Sequence, residues 1–187
     1  MENTNNNLSA PKTVSADTKI TMQVVNNKKS FALPFEPKSL EDLRRIVNRY
    51  PEESPCTLFY CLLCKGVCPP KMLKEMLGLN DALLPVVFNE IGDVNCDANV
   101  RWILENNLLL DENGKYVSVS LSPAQQKLRK LLLKIVIAVR FVQLIEDLED
   151  EFGIELYDEY DEVLKENTIS EEELLDALQT YQAEHRA

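Results

Sequence analysis

The chain has 187 residues, 45% of them hydrophobic, with 31 acidic against 20 basic side chains for a formal net charge of -11. That length favours one domain with a small appendage, and that apolar share excludes a chain disordered throughout. The charge is uneven: 16 of the acidic residues but only Lys165 and Arg186 among the basic ones fall between Phe141 and Ala187. Such an asymmetry points to an interaction segment or to a cover for a basic surface, and the plainer reading is the solvated face of acidic helices.

The opening MENTNNNLSAPK is polar and carries no apolar run of the kind a secretory leader needs. Lys134 and Arg140 interrupt the most apolar stretch, which therefore falls short of the roughly 20 apolar residues of a membrane span. The expectation is an intracellular protein, cytoplasmic or nuclear, without membrane association. Five cysteines, four of them between Cys56 and Cys68 among large apolar residues, read as buried reduced thiols.

In chain order, residues 1–17 are rich in Asn, Ser and Thr and read as a disordered tail. Residues 18–50 read as a β-hairpin turning at Asn26 and Asn27, ended by Pro34 and Pro37, then a short amphipathic helix capped by Ser39. This order is how a ubiquitin-like β-grasp begins, but the other strands of such a fold do not follow. Residues 51–152 read as a helical core. CTLFYCLLCKGVC opens it, and its length and apolarity leave helix and strand both open. Pro69 and Pro70 start a helix that ends near Gly78; Asn80 or Asp81 caps the next, and Pro85 falls in its first turns. Gly92 to Cys96 reads as a turn, and Asp97 caps the helix of Arg101 and Trp102. Glu112-Asn113-Gly114-Lys115 is a hairpin turn, with Tyr116, Val117 and Val119 suited to the returning strand.

From Ser122 to Phe152 no Gly or Pro interrupts the chain after Pro123, so one helix of seven or eight turns is expected at about 3.6 residues per turn. Leu128, Leu131, Ile135, Ala138, Val142 and Ile145 step along one face; Ile137, Phe141, Leu144 and Leu148 follow a second. A helix apolar on two faces packs against more than one neighbour, here expected to be the Cys-rich segment and the helix around Trp102. Gly153 opens the acidic C-terminal helices of residues 153–187, the last of them begun by a Ser170–Glu173 capping box.

Pro69 to Leu121 resembles a winged helix-turn-helix in its order of parts. A nucleic-acid-binding member needs cations on the recognition helix and the wing. Here the helix offers Arg101 between Asp97 and Glu105, and the wing offers Lys115 beside Asp111 and Glu112, so protein contact suits the unit better. Cys56, Cys61 and Cys64 are similar in spacing to the ligands of plant-type [2Fe–2S] ferredoxins. Such a loop is built of small residues, whereas Leu58, Phe59, Tyr60, Leu62 and Leu63 stand between these thiols. IEDLEDEFGIEL with TISEEELLDALQTY resembles the later part of an acyl carrier protein, but no DSL sequence is present. Glu162 to Glu173 can be laid on an EF-hand loop, where Asn167 replaces the glycine and Leu164 occupies a place that needs an oxygen. The lone histidine, His185, is expected to be solvent-exposed.

The reading is a mainly α fold built around one long central helix, with small β-hairpins and a winged-helix-like unit. No catalytic, cofactor or metal site is expected. The expected function is that of a non-enzymatic adaptor or regulatory protein acting through protein contacts. Its interaction candidates are Leu131, Ile135, Val142 and Ile145 on a self-association face that would make a homodimer, with Arg101 and Lys115 on the wing unit. The alternative is a winged-helix nucleic-acid-binding regulator with an acidic autoinhibitory tail, its cations being Arg44, Arg45, Arg49, Lys127, Arg129, Lys130 and Lys134.

Overall fold

The structure, a computed structural model, describes residues 19–20, 33, 35–90, 98–153, 162 and 165–186. The expected tail at 1–17, the Asn26–Asn27 turn, the turn and cap at 92–97 and most of the stretch after Gly153 lie outside these residues. What is described is mainly α with a small sheet.

Local signals place most helix ends. Helix α1, Leu40–Val47, starts where the Ser39 side chain accepts from the Asp42 N–H at 3.3 Å. Helix α2, Pro55–Cys64, starts at Ser54 with Pro55 in the first turn, so the Cys-rich segment is a helix. Helix α3, Pro70–Leu77, ends at Gly78 in the left-handed region, φ 61. Helix α4, Leu83–Glu90, follows Asn80, whose side-chain oxygen accepts from the Leu83 N–H at 3.0 Å. Helix α5, Ala98–Glu105, leads into strands β2, Leu108–Leu110, and β3, Tyr116–Val119. Between these strands the Asp111 carboxylate accepts from the N–H groups of Asn113 and Lys115, both at 2.8 Å, and Gly114 takes φ 74. Helix α6, Pro123–Phe152, carries the full Ser122–Gln125 capping box and stops at Gly153, φ 64. Helix α7, Glu171–Glu184, carries the Ser170–Glu173 box.

Two neighbours differ from expectation. Strand β1, Lys19–Ile20, pairs in parallel with β3, with Lys19 opposite Ser118 and Ile20 opposite Val119, so the sheet order is β1-β3-β2. The near-N-terminal β segment thus joins the distant hairpin. Helix α6 packs against α3, α5 and α7, whereas the Cys-rich α2 packs against α1 and, less extensively, α7. The apolar ring of α2 (Leu58, Phe59, Cys61, Leu62 and Leu63 are all buried) reaches the core from that side.

Beneath the sheet lies a buried cation. Arg129 of α6 is 1% exposed. Its Nε donates to the Leu77 carbonyl at 2.6 Å, one terminal nitrogen to the Gly78 carbonyl at 2.7 Å, and both terminal nitrogens to the Leu108 carbonyl at 3.2 and 3.3 Å. Burial pulls its pKa down to about 10, which still leaves it charged at neutral pH. The carbonyls at the end of α3 are acceptors the helix itself leaves free, at the negative end of its dipole. One side chain therefore ties α3 and β2 to α6.

Arg129→Ala removes that link, strands three buried acceptors and opens a cavity. Urea unfolding should show a loss of at least about 3 kcal/mol, since each stranded acceptor costs ~1–3 kcal/mol. A loss under about 1 kcal/mol would mean that water replaces the guanidinium freely. Gly78→Ala should cost clearly more than Gly153→Ala. Both force a side chain into φ > 0, about 1–2 kcal/mol, but at Gly78 the new Cβ would also lie 2.5 Å from Leu121 Cδ2, whereas Gly153 faces open space. Equal midpoint shifts would show that the contact is relieved without cost.

Candidate interaction surface

The five residues of the expected contact sets whose side chains are described fall into buried, half-buried and exposed environments. Leu131 and Ile135 are 4% and 2% exposed and belong to the chain's own core. The reason is that α3, α5 and α7 occupy the faces of α6 that the periodicity marks out. Val142 is half-buried, and the side chain of Ile145 lies outside the described set. Arg101 and Lys115, by contrast, are exposed on α5 and on the β2–β3 turn.

Next in sequence to each of those two cations is an aromatic residue, and the two rings meet, which the sequence did not announce. The rings of Trp102 on α5 and Tyr116 on β3 meet edge to face, with centroids 5.2 Å apart and planes at 88°. Both are half-buried. Alternation along β3 puts Tyr116 and Ser118 on one face and the buried Val117 and Val119 on the other. The α5 side of the pair is fixed by Val100, Ile103 and Leu104, which enter the core. At the helix end the Asn106 side chain donates to the Trp102 carbonyl at 2.9 Å, and Asn107 turns the chain through φ 52 into β2. Arg101 is held by Glu105 at 2.7 Å one turn on. The product is a half-buried aromatic pair at a helix–hairpin junction, each ring preceded in sequence by an exposed cation. Aromatic rings and Arg in such settings are the residue types that dominate protein contacts.

The other cations expected to meet phosphate are already engaged. Arg129 is buried on carbonyls, as above. Arg44 and Arg45 pair with Glu41, and Arg45 also with Asp42; Arg49 pairs with Glu53. On α6, Lys127 meets Asp176 at 2.8 Å and the Thr180 hydroxyl at 3.0 Å, and Lys134 meets Glu173 at 2.9 Å and the Thr168 carbonyl at 3.2 Å. Only Lys130 of this set is plainly exposed without one of these bonds.

These contacts zip α7 antiparallel along α6. The zip closes at Glu184, which accepts from the Ser122 hydroxyl at 2.7 Å and the Ala124 N–H at 3.0 Å, a carboxylate on the positive end of α6. Leu174, Ala177, Leu178 and Tyr181 are buried beneath. The acidic end of the chain is therefore in part a core helix, and truncation from Asp158 would strip that core as well as the charge. His185 is not free at the surface: its ring stacks on Tyr181 at 4.1 Å, its Nδ1 lies 2.8 Å from the Tyr181 carbonyl, and its Nε2 lies 3.8 Å from Glu75.

Cys56, Cys61 and Cys64 lie on α2, where backbone N–H groups are committed to the helix and cannot point at a cluster. Cys96 lies outside the described residues. Among the described residues no group of three His, Cys, Asp or Glu side chains is placed to hold a metal ion, and no helix is long and apolar enough to cross a membrane. Two depressions, one lined by Phe35, Glu36, Lys38, Asp42 and Arg45 and one by Glu172, Glu173, Leu175, Asp176 and Gln179, are open and rimmed with charge. No protein-family model, curated protein or solved structure matches this chain.

The Lys134 ammonium and the Ser170 backbone N–H hold the Glu173 carboxyl below the usual carboxylate range. A depressed pKa contributes stability above the unfolded value, near 4.5, that is lost as pH falls through the folded value. Glu173→Gln keeps the capping acceptor and removes the charge. At pH 7 it should cost about 0.2–1 kcal/mol, the range for partly exposed pairs. That gap should close below about pH 4 as the wild-type carboxyl protonates. A gap independent of pH would show that the amide disturbs packing and not charge.

Proposed function

We propose that this chain is a non-enzymatic adaptor or regulatory module that acts through protein contacts made at the α5–wing junction. The observation that carries the reading is the half-buried, edge-to-face Trp102–Tyr116 pair where α5 meets β3. Such a pair buries large area on binding with little side-chain entropy to lose. Arg101 and Lys115 add charge selectivity at its margin. Self-association through Leu131 and Ile135 is the weaker route, because a second copy would have to displace the chain's own core.

The second reading, a winged-helix nucleic-acid regulator, is favoured by one observation: Asp176 and Glu173 neutralise Lys127 and Lys134, as an autoinhibitory acidic helix would. Against it, phosphate contact needs several free cations, and most of those on α1, α5 and α6 are spent on carboxylates or carbonyls.

Trp102 is the single tryptophan of the chain, so its emission reports on this surface directly. Titration with mixed DNA and RNA at low salt should leave the emission unchanged. A photo-crosslinking phenylalanine placed at Arg101 should capture a protein partner in cells that express the full chain, while the same group at the exposed Lys71 of α3 should not. Quenching by nucleic acid that fades with salt and is lost in Lys115→Glu would overturn the protein-contact reading in favour of the second. Equal capture from both positions would overturn the location.

A further inference from the structure

Cys61 and Cys64 stand one turn apart in the last turn of α2, and they differ in what faces their sulfurs. The Arg49 Nε donates to Cys61 Sγ at 3.1 Å, and the guanidinium is steadied by Glu53 at 3.9 Å. That sulfur in turn holds the Arg49 pKa above its ordinary value. Among the other described thiols, Cys64 feels the neighbouring Lys65 charge, but none accepts a hydrogen bond from a cation. Burial pushes Cys64 up to about 11 and Cys68 up to about 12, and it raises Cys56 as well. Cys68 is further occupied against the Met76 sulfur at 3.9 Å. Burial without such a cation contact slows a thiol as the first attacker on peroxide, whereas a guanidinium beside sulfur favours the negative charge that develops when the thiol reacts.

The backbone permits the pair to close. Residues three apart on a helix have Cβ atoms about 5–6 Å apart, and a disulfide needs about 3.5–4.5 Å. The missing ångström or so has to come from local backbone movement. The pair sits where α2 ends: Lys65 makes the final bond, to the Cys61 carbonyl at 3.1 Å, and exposed Lys65 and Gly66, φ 77, follow. Helix ends fray, and the same fraying admits a small oxidant to Cys61, which is 1% exposed in the closed helix.

We propose that Cys61 and Cys64 form a peroxide-oxidisable dithiol, with Cys61 the attacking sulfur, Cys64 the resolving one and Arg49 a positioning residue. The Cys61 sulfur attacks one oxygen of hydrogen peroxide as its thiol proton is given up; the O–O bond breaks, Cys61 becomes a sulfenic acid, and the departing hydroxide takes that proton and leaves as water. The Cys64 sulfur then attacks Cys61 Sγ, the S–O bond breaks and a second water leaves. Peroxide gains the two electrons that the two thiols lose. Closure takes away the sulfur that Arg49 grips, so the α1–α2 contact loosens. The inference is independent of the protein-contact reading.

The test uses the full reduced chain, treated with hydrogen peroxide at neutral pH and mapped by mass spectrometry. The expected product is an intramolecular Cys61–Cys64 bond as the first oxidised species. Cys64→Ser should leave Cys61 as a sulfenic acid that takes a cyclic diketone label. Arg49→Met should slow that labelling several-fold, with Arg49→Lys recovering part of it, while circular dichroism shows each variant folded. A first bond that uses Cys56, Cys68 or Cys96, or labelling of Cys64→Ser anywhere but Cys61, would overturn the pairing. An Arg49→Met variant that is folded and labels at the wild-type rate would overturn the role of Arg49. If Arg49→Met fails to fold, the wild-type map and the Cys64→Ser label decide the pairing by themselves.

Discussion

A guanidinium taken out of water has to be matched by acceptors, and Arg129 meets that constraint without a carboxylate. Its partners are the carbonyls of Leu77, Gly78 and Leu108. Burying a cation is costly unless its N–H groups are satisfied, so α3, β2 and α6 cannot slide relative to one another without stranding either the charge or the carbonyls. Gly78 sits at the same junction. Its lack of a side chain lets Leu121 and Gln125 approach the end of α3, and the Gln125 side chain donates to the Glu75 carbonyl there at 2.9 Å. The start of α6 is thus registered on the end of α3 by backbone acceptors and not by apolar packing alone. Apolar packing tolerates slippage; directed bonds do not.

The allocation of charge follows from that registration. With Arg129 turned inward, the opposite side of α6 presents Lys127 and Lys134, and α7 lies over them antiparallel. The excess acid of the C-terminal quarter is therefore not one feature. Glu173, Asp176 and Glu184 serve the fold, on lysines and on a helix N-terminus. Glu171 and Glu172, in the first turn of α7, favour its dipole. Each such pair is worth little alone. Their importance lies in direction: they fix which way α7 runs over a face that Leu174, Leu178 and Tyr181 bury.

Much of the local structure was legible in the sequence because it rests on chemistry within four residues. Ser39, Ser122 and Ser170 cap as their neighbours imply, Gly78 and Gly153 end helices, and the Asn113–Gly114 turn makes the hairpin. What was not legible depends on separation. Nothing in the pattern of α6 says that Arg129, between Leu128 and Lys130, turns inward, because its acceptors lie 21 to 52 residues away. The pairing of Lys19–Ile20 with β3 and the placing of α2 on α1 are of the same kind. Periodicity marked Leu131 and Ile135 as a contact face, but it cannot say whether the neighbour is the same chain; both are buried in the chain's own core. Arg101 and Lys115 were visible as isolated cations; Trp102 and Tyr116 were visible only as a helical and a strand residue. Their meeting required the closure of α5 on the β2–β3 hairpin, and a single tryptophan four residues before an αL-prone Asn-Asn pair was the nearest available signal.

The same closure explains why a contact surface would sit there and not on the helix that dominates the chain. A recognition surface gains most when its side chains are already held in the bound geometry, because less freedom is then lost on association. Helix α6 meets this test only where it is already covered. The junction of α5 with the β2–β3 hairpin meets it while remaining partly open. Val100, Ile103 and Leu104 anchor one element, Val117 and Val119 the other, and Arg129 grips the Leu108 carbonyl at the strand that joins them. The aromatic pair is therefore backed by core on both sides, with one polar anchor reaching it from beneath. Arg129 holds the strand that backs this surface, which makes the buried cation and the half-buried ring pair parts of one arrangement.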